Sequence, residues 1–310
     1  MSINTIEKGK ARPDPLLPEG FQPLREGLTY ERIRRRARNS FKSILSHSFL
    51  ILVSITCLFP LWWMFVSSLK TQQGIFTDMS FFPAHPEWSN FVTAWTKGHF
   101  ETYFVNSVIY TTCTIAGVLF ISSLAAYAFA RLQFYGKNVL YFMFLATLMI
   151  PVPGQFIPLY VLLIKMRLVN TMPGYILPQV NGGLALGIFI LKPFFERIPK
   201  DLEDAARIDG CGKFGIWWNV AMPLAKPALA VVGIFTALAV WNEYLLAMLV
   251  LSDRSLMPLQ RGLMVFQGAH LTQYPLLMAG MTISVVPIIV VYLFFQKHII
   301  KGVTAGALKG

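Results

Sequence analysis

Charge is what this sequence has least of. Only 14% of its 310 residues are Asp, Glu, Lys or Arg, while 55% are of hydrophobic type. A soluble domain carries about 25% charged residues. The deficit excludes an intrinsically disordered chain and argues against a soluble enzyme of one or two domains. Cysteine is also scarce. Cys57, Cys113 and Cys211 are too few and too scattered for a disulfide framework or a thiolate metal site, and they read as small packing residues. Five histidines (His47, His85, His99, His270 and His298) show no metal-ligand spacing. Gly210-Cys211-Gly212-Lys213 runs into Phe214 and lacks the spacing of a phosphate loop. No paired-carboxylate or Ser/His/Asp arrangement stands out, so a membrane-embedded enzyme has no catalytic constellation to rest on.

The apolar residues are gathered into long blocks, and mean hydropathy is +0.55. A membrane-spanning helix needs about 20 mostly apolar residues. Six segments meet that need: 48–68, 106–130, 138–158, 181–195, 227–251 and 275–296. The expected fold class is therefore an all-α membrane protein with six transmembrane helices. Lys192 is expected to snorkel from the end of the short fourth segment.

Basic residues orient these spans. With the N-terminus inside, 21 of the 27 Lys and Arg fall on the cytoplasmic side and six on the other. That bias predicts both termini in the cytoplasm. It also accounts for the net charge of +12 without nucleic acid. Residues 1–45 are polar and basic, far too long in their charged region for a cleaved signal peptide. They read as a cytoplasmic tail. Within it, Arg32, Arg34, Arg35, Arg36, Arg38 and Lys42 can form a helix on the inner membrane surface, drawn to anionic lipid by about 1 kcal/mol per basic residue.

The spans themselves are nearly free of ionisable groups. Glu243, in the fifth, is the one carboxylate well inside a span. Ion-coupled carriers rely on intramembrane charged residues to relay protons or hold ions. A stand-alone ion-coupled carrier or channel is the alternative reading, and a single candidate carboxylate argues against the carrier. Uphill movement would need energy from a partner.

The longest cytoplasmic connection, residues 196–226, has its own pattern. Asp201 can cap a helix over 202–209, with Asp204 three residues on. Gly210 suits the left-handed residue that ends a helix. A second short segment follows, carrying Phe214, Trp217 and Trp218 and expected to end before Pro223. Helix, glycine break, helix is a shape that can enter a groove on another protein.

This loop resembles the E-A-A motif of binding-protein-dependent ABC importer permeases. Their pattern is E-A-A, three residues, G, nine residues, I, one residue, L-P. Here Asp204-Ala205-Ala206, Gly210, Val220 and Met222-Pro223 keep every spacing, with Asp for Glu, Val for Ile and Met for Leu. The first departure shortens the carboxylate, and Glu203 beside it is expected to stand in. Other stretches resemble the second subunit of maltose-permease-type sugar importers. They are the tail Gly302-Val303-Thr304-Ala305-Gly306-Ala307-Leu308-Lys309-Gly310, then Leu168-Val169-Asn170-Thr171 with Gly174 and Ile176-Leu177-Pro178, and Trp241-Asn242-Glu243-Tyr244. The resemblance covers 46–310; the first 45 residues have no counterpart in it.

The resemblance implies a type I importer (MetI-like) permease fold over 46–310, with the cytoplasmic coupling loop 196–226 and a cytoplasmic tail 297–310. It implies a non-catalytic subunit of the inner membrane, forming half of a translocation pathway for a sugar or oligosaccharide. It implies a second homologous permease, two copies of a cytoplasmic ATPase and an external solute-binding protein as partners, in membrane lipid. No cofactor is expected on this chain; ATP and magnesium would sit on the ATPase. Glu203, Asp204, Ala205, Ala206, Gly210 and Pro223 would contact the ATPase, with the small tail residues approaching it from beneath unless they fray. Trp241, Asn242, Glu243 and Tyr244 would either line the pathway or pack the bundle. Asn106, Gln155, Gln179 and Asn181 are lesser polar candidates. Residues 70–105, rich in aromatics and Pro, would form an outer cap, a docking surface for the binding protein, or both. The 252–274 loop is polar enough to reach into a docked protein.

Overall fold

A computed structural model describes residues 26–150, 152–268 and 271–307. The expectations for residues 1–25 and for Leu308, Lys309 and Gly310 lie outside the described residues. Among the described residues fourteen α-helices run in chain order and there is no strand, only a Gln267–Thr272 bridge. Contacts divide the chain into a unit ending at Pro60 and a larger one from Leu61 onward.

Helix α1 (Glu26–Ser68) crosses the expected tail boundary at 45/46 without a break. The basic run from Arg32 to Lys42 is helical, but it continues directly into the first apolar span, Lys42–Ser68, instead of forming a separate helix. Ile44, Phe49, Leu52 and Ile55 are exposed, as lipid-facing side chains are.

In the larger unit, the segment after α1 is a folded cap. Helix α2 is Gly74–Thr77 and α3 is Ser89–Lys97. Lys70, counted above as an orienting charge, is buried beneath the cap. Its Nζ donates to the carbonyls of Asp78 and Ser80 and lies 5.0 Å from the Trp63 ring centroid. Asn90 Nδ2 donates to the Ser68 carbonyl at 2.8 Å and ties α3 to the end of α1. The Ser80 hydroxyl and N–H, followed by Lys70, hold the exposed Asp78 carboxyl below its ordinary range.

The centre of the bundle is α4 (Phe100–Arg131) against α7 (Met172–Glu196). On α4, Tyr103, Ser107, Tyr110, Thr114 and Val118 are buried, at spacings of three and four that share one helix face. Small residues let the two backbones close together, the usual device where lipid supplies no hydrophobic drive between helices. A Cβ on Gly117 would meet Val180 at 2.8 Å, and one on Gly183 would meet Val118 at 2.6 Å. Helix α7 begins nine residues before the apolar run at 181 because Thr171 caps it. The Thr171 hydroxyl accepts from Gly174 N–H at 3.1 Å, with Pro173 in the first turn.

Two of the six expected segments are broken helices instead of single ones. Among the described residues four helices are long and apolar enough to cross a membrane: Lys42–Ser68, Phe100–Arg131, Met172–Glu196 and Tyr274–Phe294. The third expected segment, 138–158, is two helices, α5 (Lys137–Thr147) and α6 (Phe156–Lys165). Pro153 and Gly154 lie in a 3₁₀ turn between them; proline withholds the N–H a continuous helix would need. Beyond α7, the loop helices are α8 (Lys200–Ile208), α9 (Lys213–Ile216) and α10 (Met222–Leu224). Helix α11 (Lys226–Trp241) follows an 80° bend, and with 213–224 it can count as a fifth span. The expected fifth segment, 227–251, therefore breaks after Trp241 and resumes as α12 (Leu245–Val250). Helix α13 (Leu259–Gly262) lies in the next loop, and α14 (Tyr274–Ala307) carries the sixth segment into the tail.

Candidate functional site

Loop 196–226 folds as a helix, a turn and a second helical segment. Its first helix starts two residues earlier than expected: Pro199 occupies the cap position and Lys200 is helical, so Asp201 sits in the first turn instead of capping it. There Asp201 and Glu203 still favour the helix N-terminus electrostatically. The end of α8 is as the glycine requires. Gly210 has φ +84°, Cys211 N–H donates to the Ala206 carbonyl at 2.9 Å, and Gly210 N–H donates to that of Arg207 at 3.0 Å. This is the paired 6→1 and 5→2 pattern of a Schellman turn, with Ala206 and Cys211 both packed against the core beside it.

The second segment does not stop before Pro223. It runs as α9, a π-helical turn Trp217–Ala221 and α10, so Pro223 lies within it and the bend comes after Leu224. Its aromatics divide by face. Trp217 is buried, its ring 5.8 Å from Phe120 of α4 and 5.0 Å from Phe214. Phe214 and Trp218 are exposed. On α8, Leu202 and Ile208 are likewise exposed, and so is Ala205 between them. A loop bounded by charged residues thus presents apolar side chains outward.

The two carboxylates of the motif part company. Asp204 is exposed, its Oδ1 2.8 Å from Arg207. Glu203 faces inward, with its Oε1 2.7 Å from Nε of Arg131, the last residue of α4. Glu203 therefore cannot replace Asp204 as an outward contact. Sequence reading missed Arg131, which it counted only as an orienting charge. Nothing in the spacing links two residues 72 positions apart.

The pathway candidates also separate. Trp241 is buried. Its ring meets Phe104 edge-on at 5.8 Å and its Nε1 donates to the Ser284 carbonyl at 3.1 Å, so it packs α11 against α4 and α14. It also borders an apolar cleft of about 510 Å³ whose other walls include Val108, Thr111, Leu238, Pro287 and Ile288. Glu243 is not inside a span. It lies in the break, where its Oε1 accepts Leu246 N–H at 2.7 Å and starts α12, while its carbonyl accepts the Tyr175 hydroxyl at 3.3 Å. Asn242 Nδ2 returns to the Leu238 carbonyl at 2.8 Å, and Tyr244 reaches Met248 Sδ at 3.4 Å. Side chains that bond the local backbone compete with helix continuation, which is why the helix stops here. We predict that Glu243→Gln, whose Oε1 preserves the Leu246 bond, leaves assembly intact and retains a substantial fraction of transport. Uptake driven by a pH gradient and abolished by this change would contradict that.

Of the other polar candidates, Asn106 is a loop anchor. Its Nδ2 donates to the carbonyls of Ser255 and Met257 at 2.7 and 3.0 Å. Ser107 Oγ accepts Leu259 N–H at 2.8 Å and Tyr110 donates to the Leu256 carbonyl at 2.7 Å. Asn170, at φ +61°, accepts from Ser252 and Asp253 N–H with Oδ1. Residues 252–259 of the 252–274 loop are thus pinned to the bundle. Within it, the Ser255 N–H holds the Asp253 carboxyl below its ordinary range. Gln179 bonds the Tyr175 carbonyl at 3.1 Å, and Gln155 and Asn181 are exposed. Among the described residues no group of His, Cys, Asp or Glu is placed to hold a metal.

Long apolar helices around a small-residue seam, with one structured loop turning apolar side chains outward, mark a multi-pass membrane protein. Residues 117–305 match the family described as the binding-protein-dependent transport system inner membrane component, and the chain belongs to it as a permease component of an ABC importer. The chain is 38% identical over 264 residues to a probable ABC transporter permease protein of Bacillus subtilis, covering 84% of this chain and 87% of that one. It is 34% identical over 267 residues to a diacetylchitobiose uptake system permease of Streptomyces coelicolor, covering 86% and 88%. It also superposes, at TM-score 0.72 and 26% identity, on a chain from the crystal structure of a bacterial ABC transporter involved in import of the acidic polysaccharide alginate. That match covers 84% of this chain and 97% of the other. Membership implies a partner permease, an ATPase and a binding protein.

Proposed function

We propose that this chain forms half of the translocation pathway for a sugar or oligosaccharide delivered by an external binding protein. It pairs with a second homologous permease above two copies of a cytoplasmic ATPase, which holds the ATP and magnesium. Loop 196–226 couples hydrolysis to the membrane helices, and both termini face the cytoplasm. The observation that carries this is the outward set Leu202, Ala205, Ile208, Phe214 and Trp218 flanking Asp204. An apolar patch on a cytoplasmic loop needs a protein groove to cover it. The saccharide reading is supported by the relatives, whose names include a diacetylchitobiose permease. Trp241, Asn242, Glu243 and Tyr244 are engaged in packing and local bonds, which favours bundle packing over substrate contact for this patch.

The tagged chain, extracted from its native membrane, is expected to carry an ATPase and a second permease with it. In vesicles the complex should take up saccharide only with ATP on the ATPase side and the loaded binding protein on the other. Uptake by the chain alone, without ATP and driven by an ion gradient, would replace this reading with the stand-alone carrier.

A further inference from the structure

We infer that the buried Arg131–Glu203 ion pair is the rigid joint that makes α8 and α4 move as one body; the inference rests on the coupling role proposed for loop 196–226. Arg131 ends α4, and Glu203 sits on α8, on the face opposite the exposed Leu202, Ala205 and Ile208. The side chains are 9% and 6% exposed, and Nε and Oε1 are 2.7 Å apart. A second guanidinium nitrogen of Arg131 donates to the Ile198 carbonyl, in the turn that enters α8. One side chain therefore grips both the start of the loop and the middle of its first helix. A charge pair so screened from water resists separation far more than an exposed one, because parting it would leave a buried charge uncompensated. Arg207 extends the chain of charges outward. Its guanidinium lies 4.0 Å from Glu203 Oε2 and 2.8 Å from Asp204 Oδ1. The Arg207–Asp204 pair is exposed on both sides, and exposed pairs are weak and exchangeable. The inner pair is fixed and the outer one is free to trade partners, so a displacement of the outer face of α8 passes to α4 and not merely to the flexible loop ends.

Glu203 and Arg131 are positioning residues under this inference, and they touch neither ATP nor substrate. The test is uptake per ATP hydrolysed, measured on whole complexes recovered through the tagged ATPase, for Glu203→Gln and for Arg131→Lys. Glu203→Gln removes the charge and keeps the shape; Arg131→Lys keeps the charge and loses the fork. The expected result is near-normal recovery with uptake per ATP lowered at least about threefold in both. An unchanged ratio in recovered complexes overturns the joint, as does failure of both variants to assemble, which would make the pair a folding element only. Gly210→Val run in parallel separates the two levels. If it keeps normal ATPase recovery and normal stimulation, the coupling reading itself has failed. If it loses both while Glu203→Gln keeps a normal ratio, only the joint has failed.

Discussion

Gly210→Val is expected to leave the apolar helices inserted while ATPase recovery and binding-protein-stimulated hydrolysis fall together, by about tenfold. The reason is in the backbone. Gly210 stands at φ +84° with open space where a Cβ would go, so no neighbour is struck. The penalty comes from the left-handed conformation, at about 1–2 kcal/mol for an ordinary side chain and more for a β-branched one. A change of 1.4 kcal/mol is about tenfold in an equilibrium. The residue holds the Schellman turn in which Cys211 N–H reaches the Ala206 carbonyl. Losing that turn frees α9 from α8, so Phe214 and Trp218 no longer lie in register with Leu202 and Ile208. Ala206→Asp should act alike, because Ala206 packs against the core beneath α8 and a carboxylate there is desolvated. Asp204→Ala removes only an exposed carboxylate paired with Arg207, and should affect coupling more than assembly. The measurement is hydrolysis with and without loaded binding protein, alongside a pull-down. Normal values for both in Gly210→Val would remove the loop from the coupling role.

The turn at Gly210 was readable because it depends on local backbone rules, and so were most of the long apolar helices. Hydropathy marks where lipid is, and a glycine after a capped amphipathic stretch marks where a helix ends. The breaks within apolar runs were not readable in the same way. Hydropathy over 138–158 and 227–251 is continuous, but Pro153 and Gly154 interrupt one run, and Asn242 and Glu243 turn their side chains onto the backbone in the other. Apolar composition cannot register a helix that stops for hydrogen-bonding reasons. The same limit explains Glu243, which looked like a charge within a span and is the residue that starts α12. Arg131 and Glu203 were hidden for another reason. A pair joining the end of one helix to a loop 72 residues later is a product of the tertiary fold, and each partner alone reads as an ordinary cytoplasmic charge. Asn170 fell between the two cases. Its motif was visible, but its work of holding Ser252 and Asp253 needed the loop to be in place.

The largest expected loss of stability belongs to Gly187→Val, on the α4–α7 seam. A Cβ there would lie 2.6 Å from both Cβ and Oγ of Ser122, and 3.5 Å from Val232 of α11. Ser122 is fully buried, and its Cβ cannot swing aside as the tip of a long side chain could. The two helices must separate, which loosens the contacts of Val118 with Gly183 and of Val180 with Gly117 along the same seam. Overpacking of this kind costs about 1–3 kcal/mol, and a membrane interface built on close backbone approach has few other contacts to offset it. A lower helix propensity for valine cannot be the cause, because valine is a better helix former than the glycine it replaces. Gly182→Val supplies the control. It makes the same chemical change five residues earlier on the same helix, where nothing lies within 4 Å of the added Cβ. Thermal unfolding in detergent, together with the amount of full-length chain in the membrane, should fall clearly for Gly187→Val and stay near the parent protein for Gly182→Val. Equal behaviour of the two would mean that α4 and α7 can part at no cost, and that the glycines are not what sets their spacing.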